Sequence, residues 1–197
     1  MNRRDILRAA GAATALSVLP RDATAAWARL AAGYRPAAGL TVAQRALVSG
    51  IADVIFPRTD TPSATDGGVT DWVDLITTEY YSDDVRAPFV AGLDAIDGQA
   101  RADHGRAFGD LDGSGRTEVV AALDATMAQG GRGRGQAAAA SSQDEQARAA
   151  RAAYRRLKGL VVHGYFTSQR VERDVLHVRM AYPKFEGAAD FAPRAGR

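Results

Sequence analysis

Three histidines and one serine are the side chains of this sequence best suited to acid–base or nucleophilic chemistry. His104, His163 and His177 form neither His-x-x-x-His nor His-Glu-x-x-His, the spacings that place two zinc ligands on one helix face. His163 stands near Tyr165 and Ser168 and could act as an acid or base in an independent periplasmic enzyme, whereas a helical histidine more often hydrogen-bonds within a core. Ser168 lacks the Gly-x-Ser-x-Gly turn of a hydrolase nucleophile. The spacing therefore predicts no catalytic residues in this chain.

An acidic loop at residues 110–115, DLDGSG, carries the residue types of a calcium site. It matches positions one, three, five and six of an EF-hand loop, but position twelve, which must supply a bidentate Glu, is Ala121. A turn between two helices, with Ser114 or Gly115 capping the second helix, explains the same residues. A calcium-responsive binding module is therefore kept only as an alternative, and no metal is predicted.

Two further segments are rich in the residues that anchor protein interfaces. One has its geometry restricted by two prolines, and the other places adjacent aromatic residues beside a glycine. Aromatic and arginine side chains dominate the binding energy of many interfaces. The same aromatic rings could instead close the core, and the residues alone favour neither reading. The predicted partner interface comprises Phe56, Pro57, Arg58, Thr59, Asp60, Thr61, Pro62, His163, Gly164, Tyr165, Phe166, Thr167 and Ser168.

The composition limits both cofactors and partners. Cysteine is absent from all 197 residues, which excludes disulfides, Cys-ligated zinc, iron–sulfur clusters and covalent c-type haem in this chain. Removing the four Arg and two Asp of residues 1–25 leaves 21 basic and 21 acidic side chains. A neutral body offers no basic face for a phosphate backbone, so no nucleic-acid partner is predicted.

Residues 1–25 have the organisation of an export signal. Arg3 and Arg4 begin it, residues 9–19 form an uncharged stretch, and Ala23-Thr24-Ala25 is a small-x-small cleavage motif. The arginine pair and the alanine-rich stretch indicate the twin-arginine route, which carries folded proteins, and hence a periplasmic location. The stretch is shorter than the roughly 20 residues that span a bilayer. An uncleaved segment could nevertheless stay as an anchor.

Helical periodicity runs through the body of the chain. Thr41 is predicted to cap a first helix that Pro57 ends, and Thr70 to cap a second. Apolar residues three or four apart predict further helices around 85–100, 119–127 and 143–164. Beyond Ser168 the chain is predicted to be extended or irregular. The prediction is an all-α fold with a signal segment at 1–25, a linker at 26–40, a helical domain at 41–190 that contains a flexible loop at 130–142, and a tail at 191–197.

Three stretches of the sequence resemble the gluconate 2-dehydrogenase subunit 3 family. They are residues 51–62, IADVIFPRTDTP; the Gly67-Gly68-Val69 start of the second helix; and residues 157–168, which end in GYFTS. Residues 183–187, PKFEG, are similar to a degraded form of the family's C-terminal Pro-Gly-x-Tyr-x-Gly. The resemblance covers residues 41–190, and the chain departs from it at Lys184 and Phe185, at 169–171 and in the loop at 130–142.

The resemblance implies a non-catalytic small subunit of a periplasmic flavin-dependent sugar or polyol dehydrogenase complex. Such a subunit binds a large FAD-containing catalytic subunit of the glucose–methanol–choline oxidoreductase type and escorts it through the twin-arginine translocase. Electrons then pass from the flavin to a cytochrome c subunit. FAD and haem c would therefore reside in the partners, and no cofactor is expected in this chain.

Overall fold

The computed structural model of the chain describes residues 23–34, 39–129 and 142–177, and all regular structure in these ranges is helical. The all-α prediction is confirmed. The export pair Arg3-Arg4, most of the loop at 130–142 and the motif at 183–187 lie outside the described residues. The helices are α1 Ala23–Ala31, α2 Val42–Ile55, α3 Val69–Leu75, α4 Asp83–His104, α5 Gly113–Gln129, α6 Ser142–Thr167 and the single turn α7 Gln169–Val171, with π-helical turns at Ile76–Tyr80 and Glu172–Leu176 and a 3₁₀ turn at Phe108–Asp110.

Helix α2 begins and ends where its sequence predicts. The Thr41 hydroxyl accepts the Gln44 amide at 3.2 Å, and the Gln44 side chain accepts the Thr41 amide at 3.0 Å. This reciprocal capping box satisfies two backbone donors that a helix start otherwise leaves unpaired. At the other end Phe56 is the C-cap, and Pro57 cannot continue the helix.

Helix α3 starts differently from the prediction. Its N-cap is Gly68, which has a left-handed backbone with φ of 75°, a conformation that glycine adopts without steric cost. Thr70 is the second residue of the helix and is buried, with its hydroxyl 2.9 Å from that of Ser49. The prediction of Thr70 as the cap was therefore wrong, because the hydroxyl bonds across to α2 instead.

The acidic loop becomes the start of α5. The Asp112 carboxylate accepts the Gly115 amide at 2.8 Å, so the capping residue is Asp112, and the predicted caps Ser114 and Gly115 are already helical. This bond uses one of the oxygens that a calcium loop would direct at the ion. Within the described residues no group of three acidic or histidine side chains is arranged to hold a metal.

Helix α6 is the element around which the others assemble, and it contacts α2, α3, α4 and α5. Its most extensive partner is α4, and Gly92 lies at that contact. A Cβ at position 92 would come within 2.6 Å of the Ala149 carbonyl and would also collide with Ala153. The two backbones therefore approach closely because residue 92 has no side chain. Fully buried side chains at the centre include Leu47, Ile51, Trp72, Leu93, Ile96, Tyr154 and Leu157.

One buried carboxylate fixes the start of the domain against α3. Asp74, which is 4% exposed, accepts the Leu40 amide at 2.7 Å and pairs with the guanidinium of Arg45. Arg45 also pairs with Asp71, one turn earlier on α3. Buried carboxylates of this kind need such partners, since an unpaired buried charge is costly.

The segment predicted as a linker, residues 26–40, is helical in its first part. Ala26 is fully buried in the core, and Trp27 packs against it from α1. The Trp27 indole donates to the Thr167 hydroxyl at 3.0 Å and stacks on Trp72 with ring centroids 6.1 Å apart. This docking was missed because an Ala-rich segment with one tryptophan has no long apolar periodicity.

None of the helices in the described ranges combines the length and the apolar character needed to cross a membrane.

The close approach of α4 and α6 predicts opposite effects for two glycine substitutions on one helix. We expect Gly92→Ala to lower the free energy of unfolding by about 1–3 kcal/mol, because the added methyl group overpacks the contact. Gly98→Ala is the matched control: a Cβ there meets nothing within 4 Å, and alanine should stabilise the helix by about 0.5–1 kcal/mol. Chemical denaturation of both variants measures the difference, and equal effects would contradict a close contact between α4 and α6 at Gly92.

Candidate interaction surface

Two sequence segments more than 100 residues apart meet at one face of the domain. The rings of Phe56 and Tyr165 stack in parallel, with centroids 4.0 Å apart and 4° between their planes. The Tyr165 hydroxyl donates to the Pro62 carbonyl at 2.8 Å. Phe166 packs edge-on against both rings. We call the three rings Phe56, Tyr165 and Phe166 the aromatic joint, since they connect the end of α2 to the end of α6.

The loop at 57–62 is held in one conformation by its own hydrogen bonds. The Thr59 amide donates to the Thr61 carbonyl at 3.1 Å, and the Ala64 amide donates to the Phe56 carbonyl at 3.0 Å. The exposed Arg58 side chain pairs with Asp66. The pKa of Asp66 is lowered, first by the hydrogen bond from the Ser63 amide at 3.0 Å and also by the charge of Arg58. The loop therefore presents a fixed set of polar groups.

The thirteen predicted interface residues divide into buried and exposed groups. Tyr165 is only 4% exposed, so its ring closes the core in the way that the alternative reading of the sequence required. Phe166, its neighbour, is 42% exposed and is one of few large apolar side chains to be so in the described residues. Gly164 and Ser168 are buried, His163, Thr167, Phe56, Thr61 and Pro62 are partly buried, and Pro57, Arg58, Thr59 and Asp60 are exposed.

A cleft of about 260 Å³ lies beside the loop at 57–62, and it includes residues outside the predicted interface. Arg170 and Asp174, which form a 3.7 Å ion pair, face the loop across it. The sequence predicts irregular chain after Ser168, but the Ser168 hydroxyl accepts the Val171 amide at 3.3 Å and caps α7. A serine followed by good helix formers is the signal that could have revealed this turn. The cleft is lined by Arg58, Thr59, Asp60, Thr61, Pro62, Arg170 and Asp174.

His163 packs against the core and is not part of the lining of this cleft. Its ring lies 5.5 Å from that of Trp72, and its Nε2 is buried without a hydrogen-bond partner among the described residues. Burial lowers the pKa of His163 and favours the neutral ring. Ser168 donates to the Tyr165 carbonyl at 2.9 Å while capping α7. In the described residues His163 and Ser168 therefore make structural contacts, and they do not form a nucleophile–base pair.

The comparisons with known proteins give one family. The model of the family described as gluconate 2-dehydrogenase subunit 3 matches residues 42–183, more than two thirds of the chain. This range begins at the first residue of α2 and includes the aromatic joint and the cleft. No curated protein and no solved structure matches the chain significantly.

Burial of His163 predicts how stability depends on pH. Because its pKa in the folded chain is below the ordinary value of 6.5, the unfolded chain binds the proton more readily as the pH falls through this value. The wild-type chain should therefore lose stability between pH 7.5 and pH 5.5, and His163→Gln should lose less. Thermal unfolding at both pH values measures the difference, and identical pH dependences for the two proteins would contradict the prediction.

Proposed function

The chain belongs to the gluconate 2-dehydrogenase subunit 3 family, and we propose that it is the non-catalytic small subunit of a flavin-dependent sugar or polyol dehydrogenase complex. In this role it binds and stabilises a large FAD-containing catalytic subunit of the glucose–methanol–choline type. The name of the family supports the role of a subunit. Substrate specificity and redox chemistry then belong to the catalytic partner.

The observation that carries the proposal is the aromatic joint. Two separate segments converge so that Phe56 and Tyr165 support a Phe166 ring that is 42% exposed. Edge-on packing against two rings restricts the motion of Phe166 before any partner arrives. An anchor that is already ordered loses less conformational entropy on binding, which favours affinity. Exposed aromatic anchors surrounded by polar groups are typical of the centres of protein interfaces.

The cleft beside the loop at 57–62 supports a polar partner surface, because Asp60 and Asp174 line it together with two arginines. Arg58 and Arg170 line it, and both side chains are substantially exposed although each is paired within the chain, with Asp66 and Asp174 respectively. Exposed ion pairs contribute only about 0–1 kcal/mol, so exchange of the Arg170–Asp174 pair, whose side chains are 49% and 44% exposed, for a carboxylate of the partner costs little. Arginine binds carboxylates through two parallel hydrogen bonds, which also fixes orientation. We therefore propose that the catalytic subunit binds this face.

The export role rests on residues 1–25. Arg3 and Arg4 with the apolar stretch at 9–19 fit a twin-arginine signal, and this route carries folded cargo. A catalytic subunit that binds its FAD in the cytoplasm and has no signal of its own could cross with this chain as escort. The complex would then work in the periplasm, where a cytochrome c subunit with its own haem accepts the electrons.

A native pull-down from the host organism tests the complex directly. A tagged chain is purified under native conditions, and the eluate is read by visible absorbance and mass spectrometry. We expect a yellow complex that contains one large flavoprotein. A stably folded, colourless chain recovered alone would overturn the proposal.

Phe166 provides the test of the proposed surface. We expect Phe166→Ala to raise the dissociation constant for the catalytic subunit about tenfold, as truncation of an aromatic anchor costs about 1–2 kcal/mol. The matched control is Val42→Ala, which truncates an apolar side chain that is 86% exposed and lies outside both interface segments. Biolayer interferometry with the purified partner measures both. An unchanged dissociation constant for a folded Phe166→Ala chain would remove this face from the interface.

The arginine pair provides the test of the escort role. Replacing both Arg3 and Arg4 with Lys keeps the charge but removes the planar guanidinium groups, which lysine does not reproduce. We expect the flavoprotein partner to accumulate in the cytoplasm, and cell fractionation followed by a dye-linked dehydrogenase assay measures its location. A partner that reaches the periplasm at the wild-type level would contradict an escort role while leaving the complex itself intact.

A further inference from the structure

The predicted cleavage motif lies inside a helix. Ala23, Thr24 and Ala25 form the first turn of α1, and the bond that a signal peptidase would hydrolyse joins Ala25 to Ala26. In an α-helix the carbonyl of residue 25 accepts the amide of residue 29. A peptidase binds its substrate as an extended strand that pairs with the enzyme through main-chain hydrogen bonds. The first turn of α1 must therefore unwind before cleavage.

The residue that follows the bond is held by the core. Ala26 is fully buried. Trp27 stacks on Trp72 with 19° between the ring planes and donates its indole N–H to Thr167 on α6. A Cβ at Gly68 would lie 3.4 Å from the Trp27 ring, so the indole also covers the start of α3. Residues on both α3 and α6 thus hold α1 at the position next to the cleavage site.

A second set of contacts holds the other end of α1. Arg29 pairs with Glu79 at 3.6 Å, and its guanidinium lies 4.0 Å above the ring of Tyr34. These exposed contacts contribute less than the indole, since surface ion pairs are worth about 0–1 kcal/mol. They nevertheless direct α1 along the π-helical turn Ile76–Tyr80. Complete undocking of α1 would break both sets of contacts.

We propose that docking of α1 protects the Ala25–Ala26 bond, so that the folded, exported chain keeps residues 1–25. Hydrolysis would add water across this bond, leaving a carboxylate on Ala25 and an ammonium group on Ala26. A peptidase reaches the bond only in the fraction of chains in which the first turn of α1 has opened, and the cleavage rate follows that fraction. The twin-arginine route delivers the chain already folded, with α1 docked. The inference rests on the proposed export, which brings the chain to the peptidase, and on the docking of α1, which protects the bond.

Retention keeps the apolar stretch at 9–19 attached to the complex. This stretch is too short to span a bilayer as a helix, but it adds an apolar segment that only residues 20–22 separate from the docked helix. Transfer of apolar side chains from water into the lipid interface is favourable. The small subunit would then hold the catalytic partner at the membrane surface.

Two variants test the protection. Trp27→Ala removes the stacking and the hydrogen bond that dock α1. An insertion of Gly-Ser-Gly-Ser between Ala25 and Ala26 leaves the docking contacts intact but separates the cleavage motif from the helix. Each chain is exported from a bacterial host, and its intact mass is measured after cell fractionation. We expect the exported wild-type chain to keep residues 1–25. Both variants should instead be cleaved after Ala25. An exported wild-type chain that begins at Ala26 would overturn the proposal.

A second measurement separates this proposal from the export itself. The full-length chains are purified from the cytoplasm and incubated with purified signal peptidase in detergent micelles. We expect the insertion variant and Trp27→Ala to be cleaved at least about tenfold faster than the wild type, because their cleavage motifs do not wait for α1 to undock. Equal rates for all three chains would overturn the protection. A wild-type chain that stays in the cytoplasm of the host would contradict only the proposed export.

Discussion

The contact between Trp72 and Gly164 is the constraint on which the proposed interaction surface depends. The indole of Trp72 is fully buried, and a Cβ at position 164 would lie 2.8 Å from its ring. The backbone of helix α6 therefore packs directly against the Trp72 ring of α3. Since Tyr165 and Phe166 follow immediately, this approach sets the direction in which both rings point. One of them completes the core beneath Phe56, and the other is directed outward.

The same indole organises elements that are distant in the sequence. Trp27 of α1 stacks on it, and the ring of His163 lies beside it. The indole N–H of Trp72 is buried without a hydrogen-bond partner among the described residues. Leaving such a donor unpaired costs about 1–3 kcal/mol, which the burial of so large an apolar ring offsets. The cluster is therefore stabilised by packing, with little help from directional bonds.

The all-α architecture and most helix positions could be predicted from local signals. Thr41 with Gln44, and Pro57 after Phe56, act on neighbouring backbone groups, so the sequence contains their whole effect. The start of α3 could not be predicted in this way, because the hydroxyl of Thr70 bonds to Ser49 on another helix. The docking of α1 and the formation of α7 also depend on tertiary partners that have no local pattern.

For the candidate site, the two segments were identifiable from their residue types, but their meeting was not. The stacking of Phe56 on Tyr165 depends on how α2 and α6 cross, and helix crossing is decided by packing over the whole core. The division between a buried Tyr165 and an exposed Phe166 follows from the same crossing. Arg170 was not identified as part of the cleft, because the segment after Ser168 was predicted to be irregular.

The stacked pair of Trp27 and Trp72 also makes the docking of α1 measurable by intrinsic tryptophan fluorescence. The sequence contains only two tryptophans, and both belong to this one contact between α1 and the core. Indole emission shifts to longer wavelength when the ring enters water, and stacked indoles couple in the near-ultraviolet. Because Trp72 itself is fully buried, the change in the intrinsic tryptophan signal when α1 detaches comes chiefly from Trp27 and from the loss of the stacking. No label is needed to follow this attachment in the isolated chain.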